Sequence, residues 1–365
     1  MAIIDSTPQA DGFRMPAEWE PQRRIWMGWP TRSDNWRDAA RPAQRAFIDV
    51  ANTISEFEPV MLVAPPGADV PRAKLSSDVT VLAAPYDDAW FRDIGPTFVC
   101  DRRGEVRAVD WPFNAWGGAQ GGLYESWAND DALAGVIAEA AGVARYRADF
   151  ILEGGAIHVD GEGTCLTTEA CLLHPNRNPA LSRSDIENRL RAYLDVACVV
   201  WLGDGMVDDE TDGHIDNLGC FLRPGAVALA WTDDRADPQH AVSQEALARL
   251  RDARDAQGRA LELIRLPIPR DPLRMTRSEA DGITRRPGTH AREAGQRLAA
   301  SYVNFLLCND AVIVPAFGDP NDDVARGVLA EQFPSRVVRL VPSREILLGG
   351  GNVHCITQQE PAPRA

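Results

Sequence analysis

One pattern constrains the fold of this chain more than any other. An apolar strand runs into a turn of Gly, Pro, Asn or Asp and returns as a second strand, and the pattern recurs along the whole chain. It pairs residues 97–100 with 106–111, 156–159 with 164–168, 218–222 with 226–231, and 302–307 with 311–314. A lone strand at 352–357 closes the series, and 24–29 near the N-terminus is the candidate for its missing partner. Helical apolar spacing marks 131–141, 182–194, 238–253 and 321–333, while 261–266 and 337–340 read as further strands. Five such units arranged radially make a closed α/β propeller, one catalytic domain over 1–365 with loose ends at about 1–12 and 360–365. The spacing is irregular, and an ordinary mixed α/β domain accommodates the same elements.

Position within the pattern singles out a few polar residues. Asp93 precedes the first strand pair, Glu153 the second, and His214 and Asp216 the third, while Cys355 falls on the lone strand. Radial copies would carry these equivalent positions to one centre.

Bulk properties narrow the class. A net charge of −15 argues against nucleic acid, which needs a basic footprint, and suits either a cationic substrate or a plain solubilising surface. No apolar run reaches membrane-span length, and the opening Met1-Ala2-Ile3-Ile4-Asp5 lacks the basic and apolar regions of a secretory signal. Seven scattered cysteines with no Cys-x-x-Cys pair suggest neither a disulfide framework nor zinc, so a reducing cytoplasm is expected. No cofactor or metal is called for. A homodimer is the base-rate expectation.

The residues themselves suggest nucleophilic chemistry. Gly349-Gly350-Gly351 removes side chains from the approach to Cys355, a candidate thiolate nucleophile; the alternative is a buried structural cysteine. His214 titrates near neutrality and suits proton transfer. In an extended segment His214 and Asp216 would share one face; the alternative is a turn with its acids in solvent. Glu153 sits between an apolar strand and two glycines, where it could orient an imidazole or be satisfied by backbone N–H groups. Asp93 could fork onto a guanidinium, or pair with an arginine for structure alone.

These residues carry a family resemblance. From Met15-Pro16-Ala17-Glu18-Trp19-Glu20 to Ile356-Thr357-Gln358-Gln359 the chain resembles the agmatine deiminases of the guanidine-modifying superfamily, relatives of the peptidylarginine deiminases. The matching stretches are 90–96, 152–163, 208–217, 300–305, 316–321 and 349–359. The resemblance implies a five-unit α/β propeller, the pentein fold. It implies hydrolysis of agmatine to N-carbamoylputrescine and ammonia, on the way to putrescine, through a covalent amidino-cysteine. It makes Cys355 the nucleophile, His214 the general acid and base, and Glu153 the acid that orients it. Asp93 and Asp216 become the guanidinium grip, and Glu210 an acid near the far amine. Trp90 and Trp116 could flank that ammonium, or be core.

Two rivals stand beside this. Asp212-x-His214-x-Asp216 superficially resembles a hard-metal cluster of a ureohydrolase, although it would leave the glycine-flanked cysteine unexplained. The same architecture could also serve as an inert scaffold.

Overall fold

The computed structural model describes residues 2–363, so Met1, Arg364 and Ala365 of the expected loose ends lie outside the described residues. Its strands form five small sheets. The first holds β1 (Gln22–Gly28), β2 (Val60–Ala64) and β3 (Val79–Ala83). The next four hold β4 (Thr97–Cys100), β5 (Val106–Asp110) and β6 (Arg145–Arg147); β7 (His158–Val159), β8 (Thr164–Thr168) and β9 (Cys198–Leu202); β10 (Gly219–Arg223), β11 (Ala226–Trp231) and β12 (Glu262–Pro267); and β13 (Leu306–Leu307), β14 (Ala311–Ala316) and β15 (Val337–Pro342). The last strand, β16 (Thr357–Pro361), returns to β1 and completes the first sheet.

One plan repeats in every sheet. The first pair is antiparallel, the chain then crosses over through a helix, and the third strand joins parallel. The crossover helices are Arg41–Ser55, Ala128–Ala141, Arg183–Leu194, Gln239–Asp252 and Asn321–Gln332. The middle strands carry the near-continuous apolar runs, such as Ala-Val-Ala-Leu-Ala-Trp in β11, because both of their faces are covered. Neighbouring units touch in sequence, β16 with β4, Phe91–Ile94 with Gly154–Ala156, β7 with β10, Asn321–Gln332 with β12, and Arg41–Ser55 with β15, so the fifth unit meets the first and the ring closes. The five-unit α/β architecture read from the repeat is the one observed.

Local chemistry explains the boundaries. Ser182 caps Arg183–Leu194, accepting from Asp185 N while the Asp185 carboxylate accepts from Ser182 N, which starts that helix where the spacing predicted. Ser182→Ala should cost about 1 kcal/mol in denaturant melts, with activity unchanged. The helix Arg41–Ser55 escaped the sequence reading; Ile48, Val50, Thr53 and Ile54 lower its intrinsic propensity, and burial of Phe47, Val50, Ala51 and Ile54 in the core holds it. The strands β2, β3, β6 and β9 were also unread; Arg145–Arg147, for example, has no apolar pattern of its own and exists through pairing with β5.

The structure also corrects two expectations. Residues 2–12 are docked, with Ile4 N bonded to Arg145 O at 2.8 Å and Pro8–Asp11 packed on Arg183–Leu194. The tail is held at least as far as Ala362, whose N donates to Pro21 O at 2.8 Å. The final strand begins at Thr357 rather than 352, because Asn304 draws the His354 backbone N–H aside (2.9 Å) and Thr357 N closes a turn on His354 O (3.1 Å). No helix among the described residues is long and apolar enough to cross a membrane.

Candidate active site

The short segments at the strand-pair entrances meet one another. Phe91–Ile94 contacts both β16 and the single turn Gly154–Ala156, which in turn contacts Ile215–Leu218. Asp93, Glu153, His214, Asp216 and Cys355 all lie on these entrances, as the positional reading required. Cys355 sits in the turn before β16, not on the strand, and its carbonyl accepts from Arg92 N at 3.1 Å. His214 and Asp216 converge for a different reason from strand alternation: His214 is the N-cap and Asp216 lies in the first turn of Ile215–Leu218.

Glycines make the convergence possible. A Cβ on Gly155 would come within 2.6 Å of His214 Nδ1, 2.9 Å of Asp93 Oδ1 and 3.1 Å of Asp216 Oδ2. One on Gly351 would press on Trp90 at 2.6 Å and on Cys355 Sγ at 3.1 Å. Gly155→Ala should therefore displace three site side chains at once. We expect kcat/KM to fall by about 100-fold, with thermal melting affected far less, because the clashes are with side-chain ends. Steady-state kinetics beside a melting curve checks both.

The electrostatics are those of a buried carboxylate pair beside a thiol. Asp93 accepts from Gly155 N (2.9 Å) and Trp116 Nε1 (2.9 Å) and lies 3.8 Å from His214 Nδ1. Burial, assisted by Asp216 and Glu153, pushes its carboxyl up to about 6 even against the neighbouring imidazole. Burial acts the same way on Asp216, but His354, His214 and Arg92 outweigh it and keep that carboxyl below its usual range. Asp216 Oδ1 is buried with no hydrogen-bond partner. Burial opposes a charge on His214, yet Asp93, Cys171 and Glu153 outweigh it, so the imidazolium is favoured. The Cys355 thiol is pushed well up by burial and then by Asp216 and Asp93, and only Asn304 Nδ2 (3.2 Å) and the Asn352 backbone favour its anion.

Glu153 is fully buried, and its Oε1 accepts from Arg177 Nε at 2.6 Å. Its Oε2 and His214 Nε2 are both without hydrogen-bond partners, so the two side chains are neighbours that do not bond. Arg177 also binds Asp212 (2.7 Å), Trp116 O (2.9 Å) and Thr211 O (3.0 Å), tying the loop after β5 to the Glu153 and His214 entrances. Ala115 and Trp116 hold left-handed φ angles of 54° and 58°, a strained pair that the Arg177 bond helps to fix. Asp212 is thereby engaged by Arg177 and Asn176 rather than clustered with His214 and Asp216.

A cavity of about 330 Å³, its mouth included, is lined by Asp93, His214, Cys355, Glu210, Trp90, Trp116 and the glycine run, among others. Glu210 reaches this wall, but both its oxygens are held by Arg292, with Gln296 at 3.2 Å. Trp90 stacks on Trp36 at 5.0 Å and donates to Asp88, which fits the core reading, while one of its faces borders the cavity. Neither Lys nor Arg is among the cavity's lining residues.

Four supporting residues went unread. Asn304 stands at the entrance of the fifth unit, the position equivalent to Asp93 and Glu153, because β13 begins only at Leu306; a strand read from 302 hides it. His354 bridges Asp216 Oδ2 (2.9 Å, from Nδ1) and Glu18 Oε1 (2.8 Å, from Nε2). Since both acceptors are carboxylates, both nitrogens must donate and the ring is a cation. Glu18 also pairs with Arg92 at 3.3 Å. Asp209 accepts from His214 N at 3.1 Å and fixes its backbone.

Comparison with known proteins places the whole chain among named relatives. The agmatine deiminase of Pseudomonas aeruginosa (strain LESB58) is 56% identical over 367 residues, covering 100% of both chains. That of Pseudomonas putida (strain KT2440) is 52% identical over 100% of this chain and 99% of its own. The solved agmatine deiminase of Enterococcus faecalis superposes with a TM-score of 0.96 at 47% identity, covering 99% of each chain. An agmatine deiminase of C. jejuni with substrate bound superposes at 0.83 and 28% identity, over 96% and 97%. The profile of the Porphyromonas-type peptidyl-arginine deiminases matches residues 14–361, and the chain belongs to that family.

Proposed function

We propose that this protein is an agmatine deiminase, hydrolysing agmatine to N-carbamoylputrescine and ammonia and so feeding putrescine synthesis. The observation that carries the reading is a thiol beside two buried carboxylates at a cavity that no Lys or Arg lines. A guanidinium supplies the donors that Asp216 Oδ1 and Asp93 can accept, and a planar cation held by both carboxylates has its carbon placed for the sulfur.

In the free enzyme Cys355 is a thiol and His214 an imidazolium. The substrate cation offsets the two carboxylates that oppose the thiolate, so the thiol proton leaves to solvent as the substrate seats. The thiolate adds to the guanidinium carbon. His214 gives its proton to the departing nitrogen, the C–N bond breaks, and ammonia leaves an amidino-cysteine. Neutral His214 then takes a proton from water, whose oxygen adds to the same carbon. Collapse breaks the C–S bond and restores the thiolate; the added hydroxyl loses its proton to solvent, where the released ammonia becomes ammonium. Guanidinium and water have become a neutral ureido group and ammonium, so charge balances with no metal involved. Glu153, shared with Arg177, holds the imidazolium's electrostatic environment.

The tail argument favours agmatine over arginine. A substrate carboxylate would need a free cation, and Arg292, the cation nearest Glu210, is engaged by Glu210, Asn35 and Gly349 O. Glu210 and the rings of Trp90 and Trp116 form the wall we assign to the ammonium end. No disulfide joins any of the seven cysteines among the described residues, in keeping with a reducing cytoplasm; we take the ring as one catalytic domain and the enzyme as a homodimer.

Purified protein in EDTA should release ammonia and N-carbamoylputrescine from agmatine, with turnover of free arginine at least about 100-fold poorer in kcat/KM. Release of urea, or dependence on a divalent metal, would return the ureohydrolase. No turnover in a folded sample would leave the scaffold.

A further inference from the structure

Cys171 takes no step in the reaction above, yet it is fully buried against the site. It is a free thiol in the short helix Glu169–Leu172. Its Sγ, a ring nitrogen of His214 and a carboxylate oxygen of Glu153 all fall within 4.8 Å of one another. In two of these residues a polar atom, His214 Nε2 and Glu153 Oε2, is buried without any hydrogen-bond partner. A buried polar atom left unpaired is costly, and a cation held by sulfur, imidazole nitrogen and carboxylate oxygen would satisfy all three groups at once.

We propose that Glu153, Cys171 and His214 form a zinc-binding site, distinct from the nucleophile, whose occupation switches the enzyme off. Sulfur, imidazole and carboxylate are the three donor types zinc takes, and three protein ligands with an open fourth position is a known way to hold it. A tetrahedral site wants about 3.5 Å between donor atoms. The widest edge must therefore contract by about 1 Å, which rotation of the Cys171 side chain supplies. The thiolate and the carboxylate offset the two charges of the ion, and Arg177 stays on the other oxygen of Glu153 as an outer support. On binding, Zn–S, Zn–N and Zn–O bonds form, the Cys171 thiol proton and one His214 ring proton go to solvent, and no redox change occurs. The ring nitrogen is then committed to the metal and cannot carry a proton. The inhibitory half rests on the reading of His214 given above; the binding half does not.

The test uses the full chain as Cys355→Ala, so that the thiol at the cavity cannot contribute. Equilibrium dialysis against ZnCl2 should give one zinc per chain, and Co2+ in its place should give a thiolate-to-cobalt absorption band. Adding Cys171→Ser should abolish both; Cys171→Ala serves if a buried hydroxyl impairs folding. In the otherwise native enzyme, zinc should inhibit agmatine turnover, EDTA should restore it, and Cys171→Ser should raise the inhibitory concentration at least tenfold. Absence of stoichiometric binding, or binding and cobalt spectra unchanged by Cys171→Ser, would overturn the site. Zinc bound through Cys171 with turnover undiminished would overturn the switch. If the protein turns over no guanidine at all, the dialysis and the cobalt spectra still decide the site.

Discussion

Replacing Cys355 by serine should lower kcat by about 10⁴-fold or more while agmatine still binds. The reason is specific to this site. The chemistry needs an anion at this position, and the two carboxylates that grip the substrate also oppose that anion in the free enzyme. A thiol can be ionised once the substrate cation offsets them; a hydroxyl, with a far higher intrinsic pKa, cannot. Folding should survive. Cys355 Sγ accepts one bond from Asn304 Nδ2 at 3.2 Å, and a serine oxygen can accept the same bond, so stability should change by about 1 kcal/mol or less. Single-turnover assays, agmatine binding by calorimetry and mass spectrometry of the quenched enzyme settle it together. The native protein should carry an amidino adduct on Cys355, and the variant none. Turnover in the variant within tenfold of the native enzyme would sink the covalent mechanism.

Asp93→Asn should produce two effects of opposite sign. The first is a fall in kcat/KM of about 10²–10³-fold, because one arm of the guanidinium grip loses its charge in a water-poor site. The second is faster alkylation of Cys355 by neutral iodoacetamide, because Asp93 is one of the charges that oppose the thiolate. A residue with a merely structural role would slow the first without speeding the second. The pH profile gives a further check. The Asp93 carboxyl titrates at about 6 in the free enzyme, and its ionised form is the one that binds a cation. In the native protein kcat/KM should therefore be sustained above pH 6 and fall about tenfold for each unit below it. Asn already mimics the protonated form, so this limb should vanish in the variant. The Asn amide faces the Trp116 Nε1–H with a donor where the carboxylate offered an acceptor, which costs about 1 kcal/mol, so assays belong well below the melting range. An unchanged kcat/KM would remove Asp93 from the grip.

The sequence by itself determined the repeating unit and the points where chemistry enters it. Strand pairs with Gly, Asp and Asn turns are local signals, since turn geometry depends on a few adjacent residues. The crossover helices Arg183–Leu194, Gln239–Asp252 and Asn321–Gln332 were legible for the same reason, from apolar spacing and, in the first, a cap. Because all units share one plan, a residue just ahead of a strand pair had to face the same place in each, and Asp93, Glu153, His214, Asp216 and Cys355 do meet. Asn304, at the fifth entrance, obeys the rule too, although an amide carries no chemistry that marks it out beforehand.

Tertiary structure decided the partners and the charge states. Glu153 finds Arg177, Asp216 finds His354, and Glu210 finds Arg292, across 24, 138 and 82 positions. No local pattern encodes such distances. They follow from closing a ring, which sets the N-terminal Glu18 against the C-terminal His354 and buries charges that must then pair or shift. The same closure raises Asp93 while lowering Asp216, two carboxylates that look alike in the sequence. Burial and neighbouring charge are properties of the packed ring, and so it was the ring that divided their roles.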